Sequence, residues 1–139
     1  MRTASVDFAA PIDVVFHYLA DPINRPQWQS SLRHTVDVDG DGSVGTTWTD
    51  VTAAGIRPRM RVTEVDPRRA WAEVGTWRGI DAELRLDFAA HATGTTVSAT
   101  VAFTTPVSLR PVGWLLAVVA PYAVRSDLRR AARVVGRGS

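Results

Sequence analysis

Four side chains in this sequence could share acid-base work: Glu73, His34, Asp50 and Tyr122. Glu73 sits in the run Ala70-Trp71-Ala72-Glu73-Val74, which reads as a strand whose inward neighbours include Val62, Leu84 and tryptophan side chains. A carboxyl group in such surroundings loses solvation. Its proton affinity then rises toward neutrality and it becomes usable as a general acid or base. It would abstract an acidic proton between two carbonyls or protonate a leaving hydroxyl, while Tyr122 or His34 polarises the carbonyl. His34 and Asp50 would make a second, oriented pair if both reach the inner face. Plainer alternatives stand beside these. Glu73 could be closed in a buried ion pair with a helix arginine or turned outward by a one-residue slip, and His34 and Asp50 could be unrelated strand residues.

The elements that must position these groups follow from turn lengths. If Arg78-Gly79 is a two-residue hairpin turn, Trp77 faces Ile80, Gly75 faces Ala82, Glu73 faces Leu84 and Trp71 faces Leu86. Glu73 then points inward. If Pro67-Arg68 is likewise a two-residue turn, Glu64 faces Trp71, Val62 faces Glu73 and Met60 faces Gly75. A loop from His91 to Gly94 pairs Phe88 with Val97 and carries Ala99, Val101 and Phe103 to the same face. A three-residue connection Ala53-Ala54-Gly55 sets Trp48 opposite Met60 and turns Asp50 inward. Leu32, His34, Val36 and Val38 form the apolar parity of the preceding strand, whose register the long loop from Asp39 to Gly45 leaves open.

The inner face expected from these registers is Trp48, Met60, Val62, Trp71, Trp77, Leu84, Leu86, Val101 and Phe103. Glu64 lies near the sheet end, and Trp114 and Tyr122 are available from the C-terminal helix. Such a lining suits a planar or polycyclic apolar ligand held in orientation by a few polar groups. Arg57, Arg59 and Arg61, and likewise Asp81, Glu83, Arg85 and Asp87, fall on the opposite parity as a solvated outer face.

Around the sheet, residues Thr3 to Ala9 alternate as a half-buried strand. Pro11 opens a helix with Ile12, Val15, Phe16 and Leu19 on one side, and Asp21 caps a second short helix running to the neighbourhood of Trp28 to Leu32. Trp28 is expected to fill core space. Val107 to Val135 reads as one long helix with Arg125, Arg129 and Arg133 in a column on one side, kinked or restarted at Pro121.

Composition narrows the function. A chain of 139 residues with 45% apolar and 22% charged residues has the size and balance of one globular domain. The absence of cysteine removes disulfides, thiolate nucleophiles and cysteine-bound metal, and fits a reducing compartment. His17 and His91 fall on helix and loop positions without metal-ligand spacing, and no Gly-rich phosphate loop or nucleophile elbow occurs, so neither a metal nor a nucleotide cofactor is expected. All sixteen basic residues are arginine and the formal charge is only +2, a weak field that argues against nucleic acid as a partner. Asp7 and Asp13 interrupt the N-terminal apolar run, and no stretch reaches the roughly 18 apolar residues of a membrane span. A soluble, cytoplasmic protein is expected. The cationic C-terminal helix leaves contact with a membrane surface as a lesser alternative to packing on the sheet, and the oligomeric state is open.

The segment from Ala10 to Leu19, followed by Asp21-Pro22 and Pro26-Gln27-Trp28, resembles the opening of the SRPBCC superfamily, the START-like or helix-grip proteins. Gly42 with Gly45-Thr46-Thr47-Trp48 resembles that family's first hairpin, and Arg61-Val62-Thr63-Glu64-Val65-Asp66-Pro67 its mid-sheet hairpin. The likeness spans roughly residues 3 to 135. It implies an α+β helix-grip fold, in which a curved antiparallel sheet of about seven strands wraps a long C-terminal helix with two short helices after the first strand. It also implies an apolar cavity between sheet and helix for a hydrophobic small molecule, as in polyketide cyclase/dehydrase-like proteins, or in carriers and sensors of lipid-like, quinone or aromatic ligands. It supplies no shared catalytic motif.

Overall fold

The computed structural model describes residues 4–137. Pro11, with φ of −63°, leads into α1 (Ile12–Ala20), whose buried residues Val15, Phe16 and Leu19 follow helical spacing. Asp21 then caps a 3-10 turn (Pro22–Asn24) by accepting the Ile23 N–H at 3.0 Å, and α2 (Arg25–Trp28) follows directly. This second helical segment ends at Trp28, at the near end of the expected range.

The strands β1 (Ala4–Phe8), β2 (Leu32–Asp39), β3 (Thr47–Thr52), β4 (Arg59–Asp66), β5 (Ala70–Trp77), β6 (Ile80–His91) and β7 (Gly94–Thr104) form one antiparallel sheet in the order β1-β7-β6-β5-β4-β3-β2. The helix-grip architecture is present: α+β, a curved seven-stranded sheet, two short helices after β1 and a long C-terminal helix, α3 (Arg110–Arg137), preceded by a 3-10 turn (Val107–Leu109). Side chains on its inner face line up in rows across the strands. Trp48, Met60, Gly75, Ala82 and Phe103 make one row, and Val62, Glu73, Leu84 and Val101 the next. Arg78 and Gly79, with φ of 48° and 81°, form the two-residue turn of the β5 to β6 hairpin, where both central residues need the left-handed region.

Two bulges correct the expected registers. The β4 to β5 connection holds three residues, Pro67, Arg68 and Arg69, closed by the Arg69 N–H on the Asp66 carbonyl at 2.9 Å with Arg68 at φ 66°. A bulge between Val62 and Glu64 takes up the additional residue. Val62 still faces Glu73 and Met60 still faces Gly75, but Glu64 faces Ala72, not Trp71. It lies on the outer side of the sheet, 2.7 Å from Arg85. On the edge strand β2 a bulge between Leu32 and His34 has the same effect: Thr35 stands opposite Asp50, and His34, opposite Val51, is exposed. The His34 and Asp50 pair that the open register would have allowed does not form.

The C-terminal half of α3 packs Leu128, Ala131 and Val135 into a core shared with Phe8, Phe16, Trp71, Leu86, Phe88 and Val97. Proline has no N–H for the carbonyl four residues back and its ring crowds that group. Pro121 therefore disturbs the backbone at residue 117, and the segments Val107–Leu116 and Val118–Gly136 meet at a 42° bend. At about 100° per residue, Tyr122 falls roughly opposite the core-facing Leu128, Ala131 and Val135, and Trp114 falls to their side. Trp114 and Tyr122, expected on the inner face, are 70% and 78% exposed. Among the described residues no single helix is long and apolar enough to cross a membrane.

Candidate functional site

The polar centre of the inner face is built from a repeated local pattern. In Trp48-Thr49-Asp50 on β3 and in Trp71-Ala72-Glu73 on β5, residues two apart share a face, so each indole lies beside the following carboxylate. Trp48 Nε1 donates to Asp50 Oδ1 at 2.8 Å and Trp71 Nε1 donates to Glu73 Oε1 at 3.0 Å. Asp50 is 6% and Glu73 1% exposed.

A third component comes from α2. Arg25 stands at the start of that short helix, held there by the Asp21 cap and flanked by Pro26, and its side chain drops onto the sheet. Its guanidinium lies between the rings of Trp28 and Trp48, 5.4 and 5.5 Å from their centroids. This position suits a weakly hydrated planar cation. Arg25 Nη1 donates to Glu73 Oε2 at 3.0 Å, and Nη2 donates to Oε1. The ion pair is bidentate and fully buried.

Three N–H groups thus converge on Glu73, the pattern of an acceptor-only carboxylate. Asp50 has one neutral donor, from Trp48. Burial pushes the Asp50 carboxyl above its ordinary range, opposed by the charge of Arg25 and by the indole. Burial also lowers Arg25 to about 10, opposed by Asp50, which leaves the guanidinium charged at neutral pH. With one cation between two acids, Asp50 is the member best placed to hold a proton. Two buried donors in the cluster, Arg25 Nε and Trp28 Nε1, have no acceptor among the described residues.

Beside the cluster the inner face opens. Trp77, Leu84, Val101 and Phe103 are only half-buried. The Met60 side chain lies across Gly75, with its sulfur 2.6 Å from where a Cβ on Gly75 would stand. At the opposite end of the sheet Trp71 also borders an open cleft of about 450 Å³ between α1 and the β2 to β3 loop, lined by Phe16, His17, Ile23, Val38 and Val65.

Of the residues singled out in the sequence, Trp48, Met60, Val62, Trp71, Glu73 and Leu86 are buried on the inner face together with Asp50. Trp77, Leu84, Val101 and Phe103 continue that face. His34 and Glu64 are carried away by the bulges, and Trp114 and Tyr122 by the course of α3. Arg25 and Trp28 are the members that motif reading did not assign. A four-residue helix has no periodicity to show which way Arg25 points. The usable signal was the unpaired cation in Pro22-Ile23-Asn24-Arg25-Pro26 together with the need of an inward Glu73 for a partner.

A curved sheet gripping a C-terminal helix over an inner face of mixed aromatic and buried polar groups defines the class, and sequence comparison agrees. The chain belongs to the polyketide cyclase / dehydrase and lipid transport family, whose model matches residues 2–135. No curated protein matches it in sequence. Protein MLL2253 from Mesorhizobium loti is similar in structure, with 14% identity and a TM-score of 0.77 over 98% of this chain and 96% of that one. DR_A0006 from Deinococcus radiodurans gives 20% identity and a TM-score of 0.68 over 98% and 96% of the two chains. The di-domain ARO/CYC StfQ from the steffimycin biosynthetic pathway gives 14% identity and a TM-score of 0.78, over 96% of this chain and 49% of that protein. At such identities the likeness is one of fold.

Proposed function

We propose that the protein binds a hydrophobic small molecule against Trp77, Leu84, Val101 and Phe103 and performs polyketide cyclase/dehydratase-like acid-base chemistry at the adjoining polar cluster. The observation that carries this reading is a buried carboxyl, Asp50, beside a fixed guanidinium whose Nε–H has no acceptor among the described residues. In this scheme ligand entry opens the packing over the buried cluster, and Arg25 Nε then donates to a substrate carbonyl oxygen. Asp50 takes the proton from the adjacent carbon and returns it to the oxygen formed on ring closure, or to a departing hydroxyl. Glu73, the first choice from sequence, becomes the group that fixes Arg25, since its own oxygens are engaged by Arg25 and Trp71.

The engagement of Glu73 also favours a second reading, a carrier or sensor of a lipid-like, quinone or aromatic ligand in which the cluster is structural. Native mass spectrometry of the protein incubated with lipophilic extract of its source cells separates the two. Release of a species altered by loss of water, abolished in Asp50→Asn while binding persists, is the expected result for an enzyme. Release of every bound species unchanged would establish the carrier and refute the chemistry.

A further inference from the structure

The N-terminal half of α3 carries an apolar face that nothing among the described residues covers. Val112, Trp114, Leu115, Val118, Val119 and Tyr122 are 42% to 78% exposed. At 3.6 residues per turn they fall within one sector of about 160°. Gly113, Leu116 and Ala120, on the other side, are half-buried. A stripe this wide, with an aromatic near either end, is far more apolar surface than scattered exposed residues explain.

The surface continues onto the neighbouring loops. Because the sheet is antiparallel, the ends of β3, β5 and β7 lie at one edge, next to the start of α3. There the β3 to β4 loop exposes Ala53, Ala54 and Ile56, followed by Arg57. The β5 to β6 turn exposes Arg78, stacked 5.2 Å above the Trp77 ring, and the turn before α3 exposes Val107. Arg110 and Arg125 bracket the helix stripe, with Arg129 and Arg133 beyond. The single acid in α3, Asp127, is half-buried and accepts from the Ser30 N–H and hydroxyl at 3.2 and 3.1 Å, so it does not offset this charge.

We infer that this end of the molecule docks on an anionic lipid bilayer, with residues 110–122 lying in the interface plane, the apolar stripe at the acyl boundary and the arginines on lipid phosphates. The charge pattern selects this occupant. A two-fold contact with a second copy would set the Arg110 to Arg125 stripe against itself, like charge on like charge. A phosphate surface instead gains from every arginine, and the guanidinium matches phosphate oxygens in a bidentate manner. Trp114 and Tyr122 are of the residue types that settle at the boundary between headgroup and acyl chain. The inference is independent of the ligand chemistry proposed above, because it needs no occupied cavity.

Sedimentation with vesicles tests it, comparing phosphatidylcholine alone with phosphatidylcholine plus phosphatidylglycerol. Binding is expected only to the anionic vesicles and is expected to weaken at high salt. Trp114→Ala with Leu115→Ser should reduce binding at least about ten-fold, and Arg110→Gln or Arg125→Gln about five-fold each. These residues are exposed, so the variants should keep the parental circular dichroism. Trp28, Trp48 and Trp71 are buried and Trp77 is half-buried beneath Arg78, so in a Trp77→Phe background a blue shift of tryptophan emission on adding vesicles should vanish when Trp114→Phe is added. Absence of binding to anionic vesicles would overturn the proposal. So would binding indifferent to these substitutions, or a concentration-dependent dimer in vesicle-free buffer that the same substitutions dissolve.

Discussion

Arg25 and Glu73 are 48 positions apart, one in a four-residue helix and the other in the central strand of the sheet, yet they close on each other in an ion pair 1% exposed on either side. The pair ties the α1 to β2 connection to the middle of the sheet. It also takes from Glu73 the freedom a catalytic acid needs.

Breaking the pair from one side should be costly. Glu73→Gln or Arg25→Ala leaves an uncompensated buried group and is expected to lower stability by about 3–5 kcal/mol, read from urea unfolding. Replacing both together, Arg25→Met with Glu73→Leu, should recover most of that loss. The exposed Glu64 and Arg85 pair gives the contrast, since Arg85→Ala should cost less than about 1 kcal/mol. A loss near that small value for Glu73→Gln would mean that water reaches the cluster.

Asp50 sets a pH dependence with a definite sign. Its folded-state proton affinity is raised by burial, so above about pH 4 the native chain retains a proton that the unfolded chain has lost. Stability from this residue is therefore present on the acid side and declines as the pH rises through the raised folded value. Asp50→Asn should remove that decline, and the stability difference between variant and parent should move in favour of Asn as the pH rises above about 4. Chemical denaturation at several pH values checks this, and parallel curves for the two proteins would contradict it.

Gly75 lies beneath the Met60 side chain. A Cβ at residue 75 would stand 2.6 Å from the Met60 sulfur and 3.0 Å from its terminal carbon. Because the crowded atoms are the flexible end of Met60, Gly75→Ala is expected to cost no more than about 1 kcal/mol as that end shifts. Adding Met60→Ala should relieve the clash, so the thermal midpoints of the two single variants should not combine additively.

Pro121 costs α3 a hydrogen bond and a straight course. Pro121→Ala should raise stability by up to about 3 kcal/mol and increase the helical circular dichroism signal. It should also reduce the 42° bend.

The sequence carried the middle of the sheet well because hairpin turns count residues. The Arg78-Gly79 turn settles every pair from Trp77 and Ile80 to Trp71 and Leu86, and the Ala53-Ala54-Gly55 turn, closed by the Thr52 N–H on the Ile56 carbonyl, brings Trp48 opposite Met60 as expected. The legible part ends where a strand departs from its period of two. His34 and Glu64 each lie just past a bulge, and a bulge is stabilised by local backbone geometry that leaves little trace in apolar alternation. Arg25 was out of reach for the opposite reason: its direction is set by a cap, two prolines and the demand of a carboxylate in a remote strand. The long helix offers Trp114 and Tyr122 to the inner face, whereas their angular positions lie off the face of Leu128, Ala131 and Val135, and both are exposed.

The three-residue turn after Asp66 and the bulge between Val62 and Glu64 are two halves of one compensation. The turn is one residue longer than the pairing of Val62 with Glu73 would need, and the bulge consumes that residue before the pairing reaches Glu73. The hairpin tip can therefore vary in length while a local adjustment insulates the polar centre from the change. A residue deleted from this turn should be absorbed by loss of the bulge, whereas one deleted between Met60 and Val62 has no such buffer and would turn the inner face of β4 to solvent.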